Sequence, residues 1–359
     1  MRTRLLTAIL AFQVLLTFVP FASGAENMVE EELDQVTDLM RMGRLDEAVR
    51  GLNDMQATYP DHLRSWLVRG LVMAYSDRFA EGLSEVEDRL TSNPQDRAAL
   101  AFEVGLRVGN GEFAAARTVS ERLVQFSPES ADAWDIHGGV LSLQDGADSR
   151  SDARAALDRA LAIDPHHVDA LINRGEQVMA TDPVEAERYF RRAVDSRPGS
   201  TDANEALTTL LVSQNRTAEA LEAYDSWLRE RPLSSLALMG KAVLLADQGK
   251  YEDALWLVES VLKNDPENRD VLYLKGALLI DLGRSQEAVD VLNTLIELHP
   301  SDDAAEALRS EAAAAVQAGV SAVSVNRTTV PPTTAQTSLP TSLSVVALSV
   351  ALLLFRPRQ

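Results

Sequence analysis

The sequence predicts an all-α fold: a right-handed α-solenoid of about eight helix-turn-helix repeats, closed by a C-terminal capping helix. Three observations carry this expectation. Eight prolines recur at Pro60, Pro94, Pro128, Pro165, Pro198, Pro232, Pro266 and Pro300, spaced 34, 34, 37, 33, 34, 34 and 34 residues apart. A fixed period in this range marks a repeat array. Twelve residues before each proline stands a small residue, Ala48, Gly82, Ala116, Ala153, Ala186, Ala220, Ala254 or Ala288, where two helices can touch closely. Turn residues punctuate the period: Gly43, Gly111, Gly249 and Gly283 mid-repeat, and Asn93-Pro94, Ser127-Pro128, Asp164-Pro165 and Asp265-Pro266 at repeat ends. Glycine permits the left-handed residue that ends a helix, and the residue before proline disfavours the helical region.

In chain order, Arg2 and Arg4, the apolar run Leu5 to Phe18 and Ala22-Ser23-Gly24-Ala25 read as a secretory signal peptide over 1–25. The solenoid with its cap then occupies 26–318, with repeats near 29–62, 63–96, 97–130, 131–167, 168–200, 201–234, 235–268 and 269–302. In the last repeat, Leu272, Leu274, Leu278, Leu279 and Leu282 form one helical stripe, and Ala288, Val289, Val291, Leu292, Leu295 and Ile296 another. A looser register of small residues lies on the first helix, at Gly70, Gly138, Gly175, Ala242 and Gly276. Val36, Val104 and Thr208 interrupt it. Repeat four carries three extra residues around Leu143 to Ser149, and repeat five lacks one near Asp182-Pro183. Both changes are assigned to turns, where length changes cost little. Asp303 to Gln317 is Ala-rich and helical, the cap that keeps an open-ended array soluble.

The Thr/Pro/Ser-rich stretch 319–338 cannot bury a core and reads as an extended stalk. Residues 339–359 hold the apolar run Leu343 to Phe355 and the basic end Arg356-Pro357-Arg358. This reads as a short transmembrane anchor or as a C-terminal sorting signal; a glycolipid-anchor signal fits the basic end less well. Every reading places the repeats outside the cytoplasm, anchored at a membrane or cell surface. The chain has no cysteine, which excludes disulfides and a lipid-modified N-terminus.

The repeat pattern resembles the tetratricopeptide repeat family over about residues 29 to 302. The resemblance rests on Trp66 and Trp134 early in the first helix, the small residue four further on (Gly70, Gly138), and Gly249-Lys250-Tyr251-Glu252-Asp253-Ala254 leading into the second. One departure is the position seven after the second-helix alanine. The family favours a small residue there, which this chain keeps only at Ala160 and Ala193. The resemblance implies a non-catalytic protein-interaction scaffold whose first helices line the ligand face, without a cofactor.

All 54 acidic residues and 29 of the 34 basic ones lie between Glu26 and Glu311, so that span carries a net charge of −25. Nucleic-acid binding requires a basic footprint and is excluded. On the first-helix face the resemblance points to Tyr75, Asp132, Asp135, Asp169, Ile172, Glu176, Asp202, Glu205 and Tyr273 as the candidate groove, together with Arg64, Leu236, Met239, Asp270 and Asp281. Some relatives clamp a C-terminal carboxylate with cations on this face. Asp135, Glu176 and Glu205 oppose such a clamp, so an extended peptide with basic and apolar side chains is the expected partner. The five histidines, His62, His137, His166, His167 and His299, lack metal-ligand spacing, and no nucleophile elbow or phosphate loop occurs. No catalytic, metal or cofactor site is therefore expected. Trp227 and Trp256, on second helices, read as packing residues. Asn215-Arg216-Thr217 and Asn326-Arg327-Thr328 are candidate glycosylation acceptors.

The function expected is a tethered, non-catalytic scaffold. Its alternatives are an accessory subunit of polysaccharide or surface-polymer export and a structural spacer. The sequence leaves oligomeric state and partner identity open.

Overall fold

The computed structural model describes residues 28–318, apart from positions 38, 41–43, 77 and 145. The signal, stalk and anchor segments, Gly43 and Asn326 lie outside the described residues. All the described regular structure is α-helical, with no strand. The helices are α1 (28–37), α2 Leu45–Thr58, α3 Leu63–Tyr75, α4 Phe79–Ser92, α5 Arg97–Gly109, α6 Phe113–Phe126, α7 Ala131–Ser142 and α8 Ala147–Ile163. They continue as α9 Val168–Met179, α10 Pro183–Ser196, α11 Thr201–Ser213, α12 Thr217–Glu230, α13 Ser235–Asp247, α14 Tyr251–Leu262, α15 Arg269–Asp281, α16 Ser285–Leu298 and α17 Asp303–Ala318. Odd-numbered helices up to α15 are the first helix of a repeat (helix A), and even-numbered ones the second (helix B). The described residues divide into two compact units, one up to Ala206 and one from Leu207. Among them, no helix is long and apolar enough to cross a membrane.

A register invisible to hydropathy starts the A helices α5, α7, α9, α11, α13 and α15 and the terminal α17. Two residues after the repeat proline stand Asp96, Ser130, His167, Ser200, Ser234, Asn268 and Asp302. Each accepts a hydrogen bond from the backbone N–H three residues on, at 3.0–3.3 Å. This satisfies one donor that a helix start leaves open. The capped residue is Ala99, Ala133, Ala170, Ala203, Ala237 or Ala305, each fully buried, or Val271. Trp66 and Trp134 donate their indole N–H to the carbonyls of Pro60 and Pro128 at 2.8 and 2.9 Å, and Asn204 makes the same bond to Pro198 at 2.8 Å. Trp66 and Trp134 therefore fasten the turn as well as packing beside it.

The small-residue registers mark close approaches. The seven alanines twelve residues before a proline are fully buried, and in repeat two a Cβ on Gly82 would sit 2.6 Å from Leu106 Cδ2. A Cβ on Gly138 or Gly276 would press 2.7 Å from Leu157 Cγ or Leu292 Cδ2. The interruption expected at Val104 is filled by its neighbour. Gly105 of α5 meets Gly70 of α3, and a Cβ on Gly70 would lie 2.6 Å from Leu106 N, backbone against backbone. Two glycines facing each other let α3 and α5 cross with no side chain between them.

The length changes do not fall in turns as expected. The three extra residues of repeat four extend α8 at its N-terminus to 17 residues, where its B-helix counterpart α16 has 14. One added turn preserves the inward face, because 3.6 residues complete a revolution. The missing residue of repeat five comes from the A helix: α9 has 12 residues where α13 has 13, and Asp182 caps the following Pro183-led helix.

Trp227 is buried and stacks on Tyr224 with ring centroids 6.2 Å apart. Trp256, expected to pack, is instead 66% exposed on α14. The apolar B-helix stripe there runs through Ala254, Leu255, Leu257, Val258 and Val261, and position 256 falls on the opposite side. The mid-repeat turns use left-handed residues at Gly111, Gly249 and Gly283, and Asn215 takes that conformation at φ 57° in repeat six.

Two substitutions separate these roles. Gly70→Ala forces α3 off α5 and should lower the unfolding free energy by about 3 kcal/mol, read by urea denaturation. Gly249→Ala meets open space but keeps the unfavourable φ of +72°, and should cost about 1 kcal/mol.

Candidate functional site

The A helices of the first unit converge on a buried ion network. Arg64, 7% exposed, places Nη1 2.6 Å from Glu30 Oε2 and 3.0 Å from Asp169 Oδ2, and Nη2 3.1 Å from Asp202 Oδ2. One guanidinium thus joins α1, α3, α9 and the first turn of α11. Arg197 adds a bond to Glu30 at 2.5 Å, and His62 Nε2 another at 3.0 Å. Burial works against the Glu30 charge, but Arg64, His62 and Arg197 outweigh it and hold the carboxyl well below its usual range.

A second cluster lies beside the first. The neutral His167 ring caps α9 by accepting from Ala170 N at Nδ1, 3.2 Å away, and its Nε2 lies 3.0 Å from Asp132 Oδ1; protonation gives up the cap bond and keeps the one to Asp132. Asp135 Oδ1 accepts from the Asn173 amide at 2.8 Å. Burial lowers the affinity of His167 for its proton. The bond to Asp132 and the charges of Asp135, Asp132 and Asp169 reverse that and push its pKa up to about 9. Burial drives Asp135 up to about 6, with Asp169 adding to the rise, against the pull of His167, Asn173 and Arg64. Burial also raises Asp169. One donor atom each from Asp135, His167 and Asp169 lie within 4.8 Å of one another.

Two cavities adjoin these groups. One of about 70 Å³ is bounded by Arg64, Asp132, Asp135, Asp169, Asn173 and Asp202 on its polar side and by Leu67, Val68, Leu71, Ile136 and Ile172 on its apolar side. A wider one of about 580 Å³ is bounded by Glu30, Tyr59, His62, Asp132, Asp164, His166, His167, Asp169 and Arg197.

Of the groove residues read from the sequence, Asp132, Asp135, Asp169, Ile172 and Asp202 come together here. Glu176 and Glu205 are half-buried and each has a polar partner. Tyr75 is half-buried at the end of α3 and packs on the core of repeats one and two. Tyr273 belongs to the second unit, half-buried on α15. Asn215 is exposed in its turn. Arg64 of the second repeat and His167 stand against these acids as cationic partners. The cap register could have flagged His167. His62 and His167 are the two histidines at a position otherwise held by Asp, Ser or Asn. Their partners, 32 and 35 residues away in sequence, are not visible in local spacing.

The linkage has a definite sign. His167, raised from 6.5 to about 9, adds stability that is complete below pH 6.5 and lost as pH rises through about 9. Asp135, raised from 3.8 to about 6, favours its protonated form in the fold, so stability falls as pH climbs from 3.8 through about 6. Urea unfolding with a chelator present should therefore weaken in two steps on raising the pH. His167→Asn, which keeps a capping side chain, should remove the upper step, and Asp135→Asn the lower one.

Residues 245–312 match a family model described as tetratricopeptide repeat. A second model of the same description matches residues 141–201, 178–235 and 206–268. No curated protein sequence matches the chain significantly. Among solved structures, the chain is similar to a chain of the APC/C hetero-tetramer Cut9-Hcn1 at 12% identity, covering 75% of this chain and 52% of that one, with a TM-score of 0.48. It thus spans about half the length of that relative. It is similar to PilF of Pseudomonas aeruginosa at 20% identity, covering 60% of this chain and 97% of that one, with a TM-score of 0.47. The TPR protein YrrB is similar at 21% identity, with 53% and 97% covered and a TM-score of 0.42. Residues 141–312 are thus matched by tetratricopeptide-repeat models, and helical hairpins continue upstream of them to residue 28.

Proposed function

We propose that the chain is a non-catalytic scaffold, exported and tethered on the outer side of a membrane, which binds an extended protein or peptide segment along the A helices of its second unit. The observation that carries this reading is a row of half-buried apolar side chains: Leu236, Met239 and Val243 on α13, and Tyr273 and Ala277 on α15. Their spacings of three and four keep them on one face of each helix, beside the exposed carboxylates of Asp247 and Asp270. Such a face suits a segment that alternates apolar and basic side chains. The net charge of −25 over Glu26 to Glu311 favours a basic partner further by steering its approach. In the first unit the corresponding helices turn their acids onto Arg64, so that face already holds a cation of its own. Tetratricopeptide repeats generally serve as protein-interaction scaffolds, which supports a binding role over a catalytic one. Export and tethering rest on the leader-like residues 1–25 and the apolar 339–359.

Crosslinking the protein in intact cells, followed by a salt wash, should recover one stoichiometric protein partner. Met239→Asp with Tyr273→Asp should abolish its recovery, with circular dichroism checking that the variant stays helical. Recovery undiminished in that variant would move the binding face elsewhere. Reproducible absence of any partner would overturn the scaffold reading.

A further inference from the structure

We propose that Asp135, His167 and Asp169 form a binding site for one divalent transition-metal ion, with Zn²⁺ the ion the donors suit best. The side chains come from two elements of the first unit. Asp135 lies on α7, and His167 and Asp169 occupy the N-cap and first turn of α9. Their donor atoms already lie within 4.8 Å of one another.

Two further observations point to an ion. Asn173 bonds Asp135 Oδ1 and Arg64 bonds Asp169 Oδ2, and among the described residues no hydrogen bond reaches the other oxygen of either carboxylate. Asp135 is only 9% exposed. The second oxygen of each is thus available to an ion, and little water competes for a charge at that depth. Both carboxylates border the 70 Å³ cavity, which is roomy enough for an ion with bound water. The second observation is the imidazole's own support. Asp132 holds Nε2 at 3.0 Å, the carboxylate–histidine pairing that fixes the ring of a metal-bound histidine.

The donor chemistry selects the ion. An imidazole with carboxylates suits Zn²⁺, whereas Mg²⁺ and Ca²⁺ take oxygen sets. Donors must come to about 2.0–2.2 Å from the ion, so the cluster has to tighten by about an ångström. Coordination through Nδ1 would replace only the bond from Ala170 N, at 3.2 Å the longer of the two that the ring makes. Entry is through the 580 Å³ cavity, whose wall includes Asp132, His167 and Asp169. A bound ion would tie α7 to α9 within the first unit, independently of any partner on the second.

The test is calorimetric titration of the chelator-stripped full-length chain with ZnCl₂. The expected result is one ion per chain with a micromolar or tighter dissociation constant. His167→Asn and Asp135→Asn should each weaken it at least about tenfold, while His166→Asn, which changes the adjacent exposed histidine, leaves it intact. The asparagine at position 167 retains a cap, and circular dichroism checks that each variant stays helical. Stripped protein should also show visible d–d absorption on adding Co²⁺, lost in His167→Asn. Absence of stoichiometric uptake overturns the site. So does binding in folded His167→Asn and Asp135→Asn equal to that of the unaltered protein.

Discussion

One guanidinium, that of Arg64, sets the interior of the first unit. It lies among Glu30, Asp169 and Asp202, carboxylates brought from the first, fifth and sixth repeats. Taking these groups out of water is expensive, and their mutual attraction returns that cost only when every partner is in place. Removal of a single member therefore costs more than the pair is worth, because the others stay buried and uncompensated. The arrangement specifies which repeats meet rather than adding bulk stability. Only the curvature that brings α1, α3, α9 and the start of α11 together satisfies all four charges.

Much of the helical frame is legible in the sequence because its causes are local. The proline period, the alanine register and the apolar stripes each act within one repeat. The cap two residues after every proline from Pro94 onward is local too, and aligning the repeats on Pro94 and its successors exposes it. The length changes are harder to read. A three-residue insertion looks like a longer turn, but adding nearly one helical turn to α8 keeps Ala153, Leu157 and Ala160 facing inward. Trp256 shows a limit of composition. Tryptophan usually packs, and only its phase against Ala254, Leu255, Val258 and Val261 reveals that it points outward.

The candidate site is legible only in part. The acids on the A helices can be found from their register, but their compensation cannot. Arg64 and Asp202 are 138 residues apart, and Arg197 and Glu30 are 167 apart. No window or motif connects them, and the charge balance of the middle repeats is decided by side chains from other repeats. The same holds for His167, which in sequence is half of an ordinary turn and in the fold stands against three carboxylates. The two units therefore offer different chemistry on corresponding helices. The first presents ions that satisfy one another around small polar cavities. The second presents half-buried apolar side chains with acids at the margins.

The dependence of the first unit on Arg64 is tested most directly by a double-mutant cycle between Arg64→Met and Asp202→Asn, read as unfolding free energies in urea. A coupling energy of about 1.5 kcal/mol or more is expected for a buried, directly bonded pair, with either single change more damaging than its share of the double. Additive effects, with coupling near zero, would mean that the two side chains do not meet in the folded protein, and the account of a first unit closed on its own charges would fail.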